Sequence, residues 1–414
     1  MRKIDNIYPK IISKENLYRS AYMAARGRRY RDTTADFNFC LEEEIGKLHE
    51  ELSAKTYRHG KYRLFSIYEP KERKIAAAPF RDRVVHHAVH DIIEPIIDKT
   101  FIYHSYACRK DKGTHKAVDK AQSFLRANRF CFHGDIKKYF HSINYILLKG
   151  ILRMKIDDKD TLWLLDEIVD SAVSLQGAET LSPSLRGHEV PEASGLAARQ
   201  AIPKARLLRW PCSPSRNDGQ GLPIGNLTSQ FFANLYLNEL DRFVKFDLKH
   251  RYYIRYMDDF LIFDYDKTAL KDVKDKIGKF LRDSLSLELH AGKSQIYKTG
   301  NGIKFLGFRI YKDHRRLASD NVRRFRKRLK KFAYMLENNS RHCERSEAIS
   351  KKRLLHPFGV CNDVDKIRDS IRSWVAHAKH ANSKKLRFNI WNGLREKNGP
   401  FADSLKDILL DGAG

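Results

Sequence analysis

Cysteine is scarce and scattered in this 414-residue chain: Cys40, Cys108, Cys131, Cys212, Cys343 and Cys361, with no C-x-x-C pair among them. That spacing supports neither a zinc ribbon nor a disulfide framework. No apolar run approaches the roughly 20 residues that a membrane-crossing helix needs. The opening MRKIDNIYPKIISKEN lacks the apolar core of a secretory signal. Both absences lead us to expect a cytoplasmic protein that does not span a membrane. Acidic residues are also short, 51 Asp and Glu against 79 Lys and Arg, for a formal net charge of +28. Apolar residues at 42% and aromatics at 11% still suffice for a real core, which excludes a disordered basic tail. Solubility alone needs no such surplus. A folded chain this cationic suits a polyanion, from which it displaces counterions. Nucleic acid is therefore the expected partner.

Residues 1–60 read as helical, with Leu41, Ile45, Leu48 and Leu52 spaced for one buried face. RLFSIYEPKERKIAAA alternates like a hairpin with its tip at 69–72, and a helix over 82–99 follows. That helix carries His86, His87 and His90, which have no acidic or thiol companion that would make them metal ligands; they read as packed or nucleic-acid-facing. RFCFHGDI at 129–136 is a short apolar strand ending in an acid. Residues 174–218 then break the pattern, holding 5 of the chain's 12 prolines and no period. Long unstructured loops are uncommon inside compact domains, so this stretch reads as an insertion, as does a shorter one at 338–350 around RHCERSEAIS. Beyond it come a helix over 229–245, two apolar strands in RYYIRYMDDFLIFDYD, a helix over 268–283 and a strand, KFLGFRIY, at 304–311. The remainder is basic and helical. Val322, Phe325, Leu329, Phe332 and Leu336 form an apolar stripe, while Arg323, Arg324, Arg326, Lys327, Arg328, Lys330 and Lys331 fill seven of the nine positions 323–331.

Two acidic features stand on apolar scaffolds. Asp258 and Asp259 occupy the turn of the strand pair, and Asp135 ends the 129–136 strand. Carboxylates about 4 Å apart repel by roughly 4 kcal/mol at an effective dielectric of 20. Three on converging strands imply a cation among them, and hard oxygen ligands imply magnesium. Locally, a helix cap at Asp135 and an ordinary hairpin turn at 258–259 explain the same residues equally well.

The order of motifs favours the site. HGDIKKYFHSIN, GLPIGNLTSQFFANLYLNELD, RYMDDFLIF, LELHAGKSQIY and KFLGFRIY resemble, in sequence, the palm motifs of reverse transcriptases. With YEPKERKIAAAPFRDRVVHHAV, HSYACRKDKGTHKAV and SWVAHAKHANSKKL, they resemble the enzymes of diversity-generating retroelements. The resemblance implies an α+β right hand: fingers over 1–128, an antiparallel-sheet palm over 129–312 and a helical thumb over 313–414. It implies that Asp135 and Asp258 hold two Mg²⁺ ions, with the Ile136 carbonyl helping and Asp259 completing the acid set. Phe140 matches the aromatic gate that collides with a 2′-hydroxyl, Arg73 the arginine on the triphosphate, and Lys293 the lysine that protonates pyrophosphate. Lys71 is a further nucleotide-binding candidate. Gly225 matches the glycine that lets backbone approach the incoming nucleotide and template. Ile224 stands where related polymerases often place Gln, and Gln230 replaces the proline of intron-type enzymes. Arg323, Arg324, Lys327, Arg328 and Lys331 are the expected nucleic-acid contacts of the thumb. The implied partners are a template RNA, its cDNA or primer, dNTPs and a small helical oligomeric accessory protein. The implied activity is error-prone copying, biased to template adenines. A group II intron, retron or phage-defence reverse transcriptase is the alternative within the class, and a non-catalytic RNA-binding relic the alternative outside it.

Overall fold

A computed structural model of the chain describes residues 3–68, 72–172, 221–347, 358–396 and 405–410. The candidate insertion at 174–218 lies outside them, as do Lys71 and residues 348–350 of the second. The fold mixes helices with antiparallel strand pairs, as expected at that level, and the chain divides into two compact units.

The first unit comprises residues 1–113, 132–262 and 268–295. Its N-terminal helices include Leu41–Ser53, where Ile45, Leu48 and Leu52 are fully buried, as their three- and four-residue spacing requires. Strands β1 (Arg63–Tyr68) and β2 (Glu72–Ala77) form the expected hairpin, in register from Arg63 opposite Ala77 to Tyr68 opposite Glu72. All six residues of β1 are exposed. The helix Phe80–Asp98 begins at Pro79, and Asp82 in its first turn accepts hydrogen bonds from the Tyr57 hydroxyl (2.6 Å) and the Gly60 N–H (3.0 Å). Of the three histidines on this helix, His86 is packed at 1% exposure and stacks on His59 with centroids 5.2 Å apart; His87 and His90 are half-buried.

Burial, and then the charges of His59, His87 and Arg83, hold the His86 imidazole well below its usual range. The folded state therefore keeps His86 neutral while the unfolded chain takes up a proton below about pH 6.5. Stability from this group is present above that pH and is lost as pH falls. The melting temperature of the parent should drop more steeply between pH 7.5 and 5.5 than that of His86→Leu. Equal pH dependence in the two proteins would contradict this.

A four-stranded sheet runs in the order β4-β5-β3-β6, from β3 (Phe130–Asp135), β4 (Tyr253–Tyr256), β5 (Asp259–Asp264) and β6 (Gln295–Lys298). The helix Leu227–Arg242 is buried nearly all round, Phe232, Leu235, Tyr236 and Leu240 included, so it serves as a central core helix of this unit. The sequence reading carries it to residue 245, but a π turn takes over at Phe243–Asp247. There Phe243 stacks on Phe280 of the helix Lys267–Leu285, ring to ring at 4.2 Å and 5°.

The second unit comprises residues 114–131, 263–267 and 296–414. KFLGFRIY, expected as one strand, is two: β7 (Ile303–Phe305) and β8 (Phe308–Ile310), with β9 (Arg315–Leu317) completing a three-stranded sheet. Leu306 (φ +47°) and Gly307 (φ +86°) make the two-residue turn. Positive φ at both centres matches the twist of a tight hairpin, but leucine is not the residue that announces it. The helix Ser319–Glu347 buries Phe325 and Leu329, at 2% and 1% exposure, and exposes all seven basic residues of 323–331. Phe325 stacks face to face at 3.8 Å on Trp374 of the helix Phe358–Lys379. Among the described residues, no helix is long and apolar enough to cross a membrane.

Candidate active site

β4 and β5 pair from Tyr253 opposite Ile262 to Tyr256 opposite Asp259, leaving Met257 and Asp258 as the turn. The buried flanks Ile254, Phe260, Leu261 and Ile262 anchor both strands, so the turn projects from a rigid base. Met257 takes φ +53°, which reverses the chain in two residues. Asp259 opens β5 rather than sharing the turn. Burial, followed by the negative charges of Asp135 and Asp259, pushes the Asp258 carboxyl up to about 6; its own backbone N–H and Lys293 act the other way. Asp258 thus feels the two other carboxylates expected to converge with it.

Asp135 ends β3, and its carboxylate takes an ion pair from Lys293 Nζ at 2.7 Å. Its backbone is held on both sides: the N–H donates to Ser294 Oγ at 3.2 Å, and the carbonyl accepts from the His290 N–H at 2.8 Å. His133 lies two residues earlier, on the same face of the strand, and its Nε2 meets Asp259 Oδ1 at 2.5 Å. Between them sits Gly134, where a side chain would overlap the Phe260 ring. Sequence reasoning missed the roles of His133, Gly134 and Ser294. The period-2 rule could have placed His133 beside Asp135, and a glycine inside a strand signals close approach.

The remaining described candidates of the first unit lie on several elements. The Ile224 carbonyl accepts from the Ala76 N–H at 3.1 Å, and Asn226 Nδ2 donates to the Ala76 carbonyl at 3.1 Å, so this segment docks on β2, the strand of Arg73. Gly225 takes φ +115°, and a Cβ there would lie 2.9 Å from Ile75 Cγ2. Arg73 is exposed opposite Ile67. Ile136 is buried at 1% and bridges to Leu289. Phe140 is half-buried in a short 3₁₀ turn, its carbonyl accepting from the Leu222 N–H at 2.7 Å. The structure thus pairs Lys293 with Asp135 at the end of β3, sets Asp258 and Asp259 at the turn and start of the neighbouring β5, and docks Ile224 and Gly225 against β2. Arg323, Arg324, Lys327, Arg328 and Lys331 belong to the second unit, all on the exposed face of one helix.

The chain is similar to the group II intron-encoded protein LtrA of Lactococcus lactis subsp. cremoris, at 23% identity over 72% of this chain and 54% of that protein. It therefore spans about half the length of that relative. It is also similar to protein YkfC of Escherichia coli K12, at 24% identity over 68% of this chain and 75% of that protein. Among solved structures, apo telomerase from Candida tropicalis matches with a TM-score of 0.40 and 14% identity, covering 69% of this chain and 54% of that one. The family described as reverse transcriptase (RNA-dependent DNA polymerase) matches residues 67–310, a span that takes in both acidic strand ends, Lys293 and the docked Ile224–Gly225 segment. More than half of the chain is covered by that match, and the chain belongs to the reverse transcriptase family.

Proposed function

We propose that the chain copies RNA into DNA, as an RNA-directed DNA polymerase of the group II intron and retroelement superfamily. The acidic strand ends support this reading: Asp135 closes β3, Asp258 and Asp259 stand at the β4–β5 turn, and all three lie inside the span that matches the family. Among the described residues, no three His, Cys, Asp or Glu side chains stand close enough to cage a metal as they are. The donor set nonetheless suits Mg²⁺, being all oxygen, and a cation would offset the burial and the neighbouring carboxylates that raise Asp258. Asp135, Asp258, Asp259 and the Ile136 carbonyl would hold two such ions, which supply activation of the primer 3′-hydroxyl and stabilisation of the leaving pyrophosphate. Lys293, which pairs with Asp135, would give a proton to that leaving group. Phe140 would exclude a 2′-hydroxyl and Arg73 would grip the triphosphate, its planar fork fitting phosphate oxygens. Fingers, palm and thumb are the division this reading gives the chain, with template RNA, primer and dNTPs as ligands. The test is extension of a DNA primer on an RNA template with Mg²⁺ and dNTPs. A folded, RNA-binding protein that adds no nucleotide supports the relic reading instead.

The basic helix Ser319–Glu347 is assigned to the template–primer duplex. Charge reversal at Arg324, Lys327 and Lys331 should weaken binding and flatten the slope of log affinity against log salt by roughly 0.7–0.9 per lost phosphate contact. An unchanged slope would place the duplex elsewhere.

Within the superfamily, the relatives favour an intron-type enzyme. LtrA is named as a group II intron protein. Ile224 and Gln230 favour the second reading, a diversity-generating retroelement with its accessory protein. Glutamine before Gly225 could hydrogen-bond the incoming nucleotide, whereas Ile224 offers only van der Waals contact. Loss of one such bond is worth about 1 kcal/mol, several-fold in error rate. On the retroelement reading, cDNA made by the parent carries excess errors opposite template adenine, and Ile224→Gln reduces them. Sequencing the products of both proteins from one RNA decides. An even error spectrum in the parent leaves the intron-type reading standing.

A further inference from the structure

Arg255 is the bulkiest of the fully buried side chains among the described residues. It lies on β4, two residues before the turn that carries Asp258. Its guanidinium grips Asp241, also fully buried, in a two-pronged pair: Nε to Oδ1 and Nη2 to Oδ2, each 2.7 Å. The Tyr253 hydroxyl donates to the same Oδ1 at 2.7 Å. Nη1 donates to Asn234 Oδ1 at 3.1 Å, and Asn234 is itself tied to the Ala107 carbonyl at 2.8 Å. The Arg255 backbone is clamped as well, its N–H on the His104 carbonyl and its carbonyl on the Tyr106 N–H, both at 3.0 Å.

A buried ion pair adds little to stability that an apolar pair of similar volume could not supply. What it provides here is a donor fixed in direction, and the remaining bond of Nη1, at 3.2 Å, goes to the carbonyl of Met257. Met257 is the residue at φ +53°, a conformation that a non-glycine residue keeps only when its surroundings impose it. The Met257 carbonyl and the Asp258 N–H are the two ends of one planar peptide. The plane of that peptide therefore fixes the N–Cα bond of Asp258 from which its side chain departs.

We infer that Arg255 is a positioning residue: by holding the Met257 carbonyl it sets the plane of the Met257–Asp258 peptide, and through that peptide the direction of the Asp258 carboxylate. Asp241 and Asn234 hold the guanidinium in place for this purpose. The inference rests on the polymerase reading of the acid cluster.

Two variants of the full chain test it. Arg255→Lys keeps a cation beside Asp241 but lacks the planar fork that serves Asp241 and Met257 together. Arg255→Met combined with Asp241→Asn removes the charges as a pair and leaves an acceptor for Tyr253, so neither variant strands a buried ion. Primer extension on an RNA template should show kcat lowered about 100-fold in each, the scale of an ångström-sized misplacement. The KM for dNTP, the Kd for template RNA and the melting temperature should stay near the parent's. Parental kcat in either folded variant overturns the inference, as does a fall in kcat matched by the loss of folded protein. If the parent itself adds no nucleotide, the polymerase reading fails separately. The inference is then judged from a crystal structure of Arg255→Lys, in which an unrotated Met257–Asp258 peptide would overturn it.

Discussion

Asp258→Ala and Asp135→Ala should each abolish primer extension while RNA binding stays within about twofold of the parent's. Asp258 sits on a turn whose flanking strands are pinned by Ile254, Phe260, Leu261 and Ile262, all fully buried, so removing its carboxylate leaves the scaffold in place. The substitution also relieves repulsion, because burial and the two neighbouring acids push that carboxyl up to about 6. Melting temperature should therefore hold or rise. Asp135→Ala frees Lys293 from its 2.7 Å ion pair, an exposed pair of the kind that contributes little to stability. Affinity for RNA comes mostly from phosphate contacts, and neither aspartate can supply one. Filter binding and extension on the same preparations separate the two effects. Full extension in either variant would remove the assignment of the acid cluster.

Gly134→Ala should be among the most damaging single-methyl changes in the first unit. The glycine lies between His133 and Asp135, and an added Cβ would enter the ring of Phe260, which is fully buried. That ring also packs edge to face against Phe132 (5.8 Å) and Tyr253 (6.1 Å), so it has no open direction in which to retreat. Overpacking of this kind costs about 1–3 kcal/mol and sometimes more. In a unit of this size each kcal/mol lowers the melting temperature by about 2–4 °C. Displacement of β3 from β5 would also part His133 from Asp259, so extension should fall beyond the loss of folded protein. Adding Phe260→Leu should recover much of the stability. A variant with the parent's melting temperature would contradict the close packing.

Local pattern made the helix faces readable. Ile45, Leu48 and Leu52 recur at helical spacing and are buried, and the basic residues of 323–331 surround Phe325 and Leu329 as their spacing requires. The acid-bearing strand ends were readable for a related reason, since apolar runs that stop at a carboxylate mark where a core meets solvent. The hairpin at 303–310 was not, because its turn puts Leu306 where Asn or Gly would normally signal a reversal. The grip of Arg255 on Asp241 was invisible too. Fourteen residues separate them, and only the packing of β4 against the helix Leu227–Arg242 shows that this arginine is fully buried. His133 was a lesser miss: strand alternation already aligned it with Asp135, but its partner Asp259 lies 126 residues away.

The hairpin of β1 and β2 has an energetic consequence. It is a two-stranded ribbon, and Leu64, Phe65, Ile67 and Tyr68 are 47%, 42%, 38% and 73% exposed, so its first strand has almost no core to rest on. Ribbons of this kind are marginally stable alone, and such regions open at a small fraction of the global unfolding free energy. Amide exchange along β1 should outpace that of β4 and β5 by orders of magnitude. A ligand lying on β1 must first hold it closed, which subtracts from the affinity its contact area implies. Covering those apolar side chains gives association a negative heat-capacity change, so its enthalpy becomes steadily more favourable on warming.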